Sequence, residues 1–413
     1  MIDVINLNNG ISIVMEQVSY VRSASFGVYI KAGSVNETQE TAGISHFIEH
    51  MMFKGTKTRS AKQIAQEMDD VGAHINAYTS KEHTCYHVKV LDTHLKLAID
   101  IIADMIFNSK FDEDEIKKES KVITEEISMY EDNPEDLLIS NLNNAIWEKS
   151  LLSNKILGSR ETVASFKRED FIKYLDEFYV GENTVIALAG NFNKEDILGF
   201  IKEKFSEMER GVKSIPITEK PIYVPSRVKT FKDIEQVHLA MCFEGIGLEQ
   251  ERTPISILNA VLGGGMSSIL FQKIREERGL AYSIYSYSSS YTLNGTYNIY
   301  AGLSKDKLPD AIDIIKKEIL ELKANKIPED KLLTTKEQIK SNYIMGMESI
   351  AQRRGNLGMK KILLDKVESI DEMISKIDKV NKTDVDNLIE AIFDMSKLSI
   401  SIIGRVNDID LES

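Results

Sequence analysis

Ala42-Gly-Ile-Ser-His46-Phe-Ile-Glu49-His50-Met-Met-Phe53 is the stretch from which the rest of the chain can be read. His46 and His50 are four residues apart, so on a helix they stack on one face, one turn apart. Glu49 leans toward the same face. Two neutral imidazoles at that spacing are a ready pair of zinc ligands. A carboxylate beside them, left off the metal, can take a proton from an attacking water. With 7 histidines in 413 residues, chance would produce this pattern in about one such chain in a hundred. The bland alternative is a buried amphipathic helix whose histidines merely pack.

The surroundings bound what such a helix can belong to. A chain of 413 residues exceeds one ordinary core, and two domains of roughly 200 residues each are expected. Composition is that of a globular protein, 42% hydrophobic and 28% charged. No apolar run approaches bilayer length, so no membrane span is expected. The first ten residues lack both a basic region followed by an apolar core and an Arg-rich amphipathic pattern, which predicts a cytoplasmic protein. Cys85 and Cys242 are too few for a disulfide framework. The net charge of -13 argues against a nucleic-acid partner, which needs a basic footprint.

Upstream of the motif, 10–15 and 23–31 read as strands. Downstream, a helix is predicted from an N-cap at Ser60 to a terminating Gly72. Strands follow at His74–Thr79 and His83–Val90. In the second of these, His83, Cys85 and His87 share one face. That face could hold another metal, but the ordinary polar side of a half-buried strand is the reading adopted. Helices are predicted at 93–107 and 113–131, the latter strongly acidic. Its Glu119 and Glu126 are seven apart and share a face, where a carboxylate could complete the three protein ligands of a catalytic zinc. Periodicity alone leaves open which glutamate turns inward.

A strand at 183–190 and a helix at 194–207 close the first half. Three prolines between 211 and 225 mark a linker. The second half repeats the order. Strands are predicted at 227–231 and 237–243, helices at 252–262 and 271–278, and strands at 281–290 and 295–303. Several helices between 306 and 391 precede a last strand at 397–404. Ile186-Ala-Leu-Ala-Gly190-Asn-Phe-Asn and Ser401-Ile-Ile-Gly404-Arg-Val-Asn end alike, with their glycines 214 apart. Internal duplication is the economical explanation. The position 214 beyond His46 is Ala260, with no metal ligand near it, so only the first half can hold this metal. Gly263-Gly264-Gly265 lacks the Lys-Ser/Thr of a phosphate-binding loop and reads as a loop or tight turn. The expected fold is α+β: two homologous domains, each a mostly antiparallel sheet with helices packed on it. They would span 1–210 and 226–413, joined by a linker at 211–225.

At this length the residues resemble the pitrilysin/insulinase zinc peptidases (the inverzincins, with His-x-x-Glu-His), in the branch of the mitochondrial processing peptidase β subunit and its bacterial relatives. The resemblance runs through His46–Thr56, Gly72–Thr79, Glu82–Tyr86, Glu119–Glu126, Leu262–Phe271 and Arg275–Tyr282. It implies one zinc per chain, held by His46, His50 and Glu126, with Glu119 as outer support and Glu49 as catalytic base. It implies that the edge strand at Asn76-Ala77 pairs with substrate backbone, and that Arg275 and Tyr282 grip substrate. The activity implied is zinc-dependent endopeptidase cleavage of extended or unfolded peptides inside a clamshell chamber. The alternative is a non-catalytic peptide-holding or assembly subunit of the same fold. Two domains rather than four imply a homodimer, its active site completed by the second chain.

Overall fold

Strand formation follows the alternating and β-branched runs, and it yields two sheets. The computed structural model describes residues 2–212 and 219–411; within the expected linker, 213–218 lie outside the described residues. The first sheet comprises Ile2–Asn6 (β1), Ser12–Gln17 (β2), Ser23–Ile30 (β3), His74–Thr79 (β4), Thr84–Leu91 (β5) and Thr184–Gly190 (β6), in the order β1-β2-β6-β3-β5-β4. The second comprises Arg227–Phe231 (β7), Gln236–Glu244 (β8), Ala281–Ser290 (β9), Gly295–Ser304 (β10) and Ser399–Gly404 (β11), in the order β7-β11-β8-β10-β9.

Both sheets share one plan. β2 pairs with β6 in parallel, as β7 does with β11, and the other pairings are antiparallel. Replacing β2, β6, β3, β5 and β4 by β7, β11, β8, β10 and β9 converts one sheet into the other. Gly190 and Gly404 end the matching strands with φ of 136° and 142°, so the strand endings that suggested duplication are equivalent in three dimensions. β1 is an extra edge strand, not anticipated from the sequence. Fully buried β6 and β11 run through the sheet interiors, whereas β4 alternates exposed and half-buried residues, as an edge strand does.

Each sheet has its own apolar core, one built on Phe26, Phe47, Ile99 and Leu188, the other on Leu239, Phe243, Ile299 and Ile402. The packing units cut across the sequence halves. The first unit takes the chain up to Ser128, from Asn154 to the linker, and Met345–Ile370; the second takes the remainder. The helix Pro134–Ile146 therefore lies on β7, β8 and β11, and the helix Ile350–Leu364 lies on β2, β3 and β6. These are equivalent places under the duplication. Each sequence half lends one helix to the other half's sheet. Gly358 allows the close approach: a Cβ there would sit 2.0 Å from the Tyr29 ring. The Gly263–Gly265 run follows the helix Thr253–Leu262, where the Gly263 carbonyl accepts from Ser286 N at 3.2 Å, a packed turn. The helix expected over 271–278 is a π-helical segment, Phe271–Glu276. No helix among the described residues is long and apolar enough to cross a membrane.

Candidate metal centre

The motif stretch forms the helix Ile44–Met52. Ile44, Phe47, Ile48, Met51 and Met52 are buried in the first core. Helical spacing then turns His46, Glu49 and His50 the other way. The two imidazole rings lie 4.5 Å apart, centre to centre. The acidic stretch forms the helix Glu113–Asp132, seated by buried Ile116, Ile123 and Ile127. That seating aims Glu119 and Glu126 at the motif helix and leaves Glu125 exposed.

Glu126 Oε2 stands 3.7 Å from His46 Nε2 and 3.6 Å from His50 Nε2. One donor atom from each of the three residues falls within 4.8 Å of the others, the only such group among the described residues. Two ligands on a tetrahedral zinc lie about 3.3 Å apart, given bonds of about 2.0–2.1 Å. The two Glu126–histidine separations exceed that by a few tenths of an ångström, and the two nitrogens and one carboxylate oxygen are a zinc donor set. Burial, reinforced by the neighbouring His50 ring, pulls the pKa of His46 down to about 3. Its imidazole is therefore neutral, the form that ligates metal.

The surrounding residues orient these donors. Glu119, almost fully buried, receives His50 Nδ1 at 2.8 Å and Lys54 Nζ at 2.6 Å. Burial raises its pKa, but these hydrogen bonds and the Lys54 charge win and hold it below the usual carboxylate range. With its proton on Nδ1, His50 presents the Nε2 lone pair toward Glu126. Glu49 is outside the donor group. Thr79 Oγ1 donates to its Oε2 at 2.5 Å. Burial raises the pKa of Glu49, partly offset by Thr79 and His50. Asn76 and Ala77 lie on β4, whose only partner among the described residues is β5. Glu49, His50, Phe53, Lys54, Asn76 and Glu119 line an open cleft of 410 Å³ beside that edge.

Arg275 and Tyr282 belong to the second unit, which contains no metal-competent group among the described residues. They are neighbours, with the guanidinium 5.6 Å from the centre of the Tyr282 ring, which is 77% exposed. His83, Cys85 and His87 form no metal group among the described residues. Tyr78 packs against both histidines, and Arg354 of the lent helix reaches Cys85 Sγ at 3.5 Å. Burial lowers both histidines to about 4 and raises Cys85 to about 11. Thr79 and Lys54 were not anticipated from the sequence. Thr79 had a usable signal, since it lies two residues beyond Ala77 and so shares its face of β4.

Comparison with known proteins identifies the family. The family model "Insulinase (Peptidase family M16)" matches residues 12–160, and "Peptidase M16 inactive domain" matches 165–339. A Bacillus subtilis protein named uncharacterized zinc protease YmxG is 41% identical over 386 residues, 93% of this chain and 94% of its own length. A Helicobacter pylori protease solved by crystallography superposes with a TM-score of 0.90 at 19% identity, covering 98% of this chain and 99% of its own. A chain of complex III2 from Candida albicans superposes at 0.85 with 21% identity, covering 99% and 98%. At such identities the two structures speak for the fold alone. The chain belongs to peptidase family M16, the insulinase family.

Proposed function

We propose that this protein is a zinc endopeptidase acting on extended or unfolded peptides, with one zinc per chain held by His46, His50 and Glu126. The observation that carries the reading is that three donors converge while a fourth residue, the acidic Glu49, stands beside them, bound to Thr79 rather than belonging to the group. Zinc held by His46, His50 and Glu126 would supply a Lewis acid toward the attacking water and the scissile carbonyl. Glu49 takes the proton from the attacking water and returns it to the leaving amine. The free edge of β4 at Asn76-Ala77 offers backbone groups to an extended substrate, which favours broad sequence tolerance. The net charge of -13 favours basic peptides by steering. Both cysteines are free and buried, which suits a reducing cytoplasm.

Metal analysis paired with cleavage of an unfolded peptide, with and without chelator, tests this reading. Bound zinc without cleavage would instead indicate a peptide-holding subunit. Glu126→Gln is expected to strip most of the zinc, whereas Glu125→Gln, on the exposed face, should leave occupancy near wild type. The reverse result would turn the acidic helix by one residue.

We further propose a homodimer in which a second copy brings its Arg275 and Tyr282 to the first copy's metal centre. The support is that these two side chains meet in the unit where no metal group is found among the described residues. A two-fold axis would give two such sites. Inactive Glu49→Gln and inactive Tyr282→Phe chains, mixed under conditions of subunit exchange, should regain activity. Confirmed exchange without recovery would place the whole site in one chain.

A further inference from the structure

The two histidines are held in unlike ways. Glu119 orients His50, whereas the buried Nδ1 of His46 has no hydrogen-bond partner among the described residues. The His46 ring is therefore placed by packing, and its position follows that of the helix beneath it. The start of that helix lacks the usual polar cap. Its N-cap is Gly43, with φ of 93° and no side chain to accept the free amides.

Glu37, outside the helix, takes that part. It is 2% exposed. Its Oε2 accepts from Gly43 N at 2.8 Å and its Oε1 from Ser45 N at 2.9 Å. The Ser45 hydroxyl lies 2.8 Å from Tyr174 Oη. A carboxylate at the positive end of the helix dipole is favourably placed.

The segment carrying Glu37 is also fastened to the turn between β4 and β5. Val35 N donates to Lys81 O at 2.9 Å, and Asn154 Nδ2 donates to Ser34 O at 2.9 Å and Glu37 O at 3.0 Å. Thr79, at the end of β4, holds Glu49. One short segment thus ties the start of the metal helix to the hairpin that bears Asn76 and Ala77.

We propose that Glu37 is a positioning residue for the metal centre: by clamping the amides of Gly43 and Ser45 it sets the depth and rotation of the motif helix, and so the place of His46 against Glu126. This inference rests on the reading of His46, His50 and Glu126 as metal ligands.

Glu37→Gln keeps the shape, but its amide N–H faces one of the two donors that the carboxylate accepted. Zinc affinity, measured by competition with a chromophoric chelator well below the melting midpoint, is expected to fall about tenfold. The visible spectrum of the cobalt-substituted protein should shift with it. Ile201→Ala, a buried core truncation in the helix Lys194–Lys204, is the control for lost stability and should change neither readout. If Glu37→Gln binds zinc as tightly as wild type with an unchanged cobalt spectrum, or if Ile201→Ala weakens zinc equally, the inference is overturned. Should Glu37→Gln fail to fold, Glu37→Asp keeps the charge but shortens the reach to the amides of Gly43 and Ser45 and is expected to weaken zinc about threefold; unchanged affinity in that variant would overturn the inference as well. A wild-type chain that takes up no zinc would instead sink the reading of the metal centre itself.

Discussion

Glu49→Gln is expected to lower the rate of peptide cleavage about 10²- to 10⁴-fold, while fold and zinc content stay intact. The magnitude is that of removing a positioned general base. The amide keeps the length and planarity of the carboxylate, and its oxygen can still accept the Thr79 hydroxyl. It cannot accept a proton at neutral pH. Because Glu49 lies outside the group formed by His46, His50 and Glu126, losing its charge removes no ligand. Cleavage rate and metal content should be measured on the same preparation. Near wild-type cleavage would exclude Glu49 as the base, and loss of zinc would make it a ligand.

A fragment of residues 1–210 expressed alone is expected to show no cooperative unfolding transition. It lacks the helix Ile350–Leu364, which covers β2, β3 and β6. Ile350, Leu357, Ile362 and Leu363 of that helix are buried. At roughly 1.5–3 kcal/mol for each apolar side chain, their loss costs about 6–12 kcal/mol. That is the scale of a whole domain's stability, roughly 5–15 kcal/mol. The fragment would also uncover Tyr29 and Cys85, both 0% exposed in the intact chain. Co-expression with 211–413 should restore a folded, co-eluting pair, because each fragment carries the helix the other needs. In the full chain Gly358→Ala is the point-mutation counterpart, since its Cβ would collide with the Tyr29 ring. Thermal melts and size-exclusion chromatography decide the matter. A cooperative melt of the isolated 1–210 fragment would show the lent helix to be dispensable.

What the sequence by itself determined is what local periodicity can encode. The spacing of His46 and His50 places both on one helix face whatever that helix packs against. Ser60 and Gly72 mark where the next helix starts and stops, and the structure has Ser60 as N-cap and Gly72 at φ of 62°. The duplication was legible in two strand endings, because both copies need the same sharp exit after Gly190 and Gly404. The tertiary structure alone decided the rest. An amphipathic helix declares that it has an apolar face, not which sheet receives it, so the lending of Pro134–Ile146 and Ile350–Leu364 left no local trace. The seating of Ile116, Ile123 and Ile127 chose between neighbouring glutamates that periodicity could not separate. Arg354 comes from 325 residues away to bond Tyr29, and so turns the His83, Cys85 and His87 face into a packed layer. Glu37 caps a helix it does not belong to. Except for that cap, which spans six to eight residues, these contacts join residues distant in the chain, and the energy of all of them depends on burial that exists only after the sheets have formed.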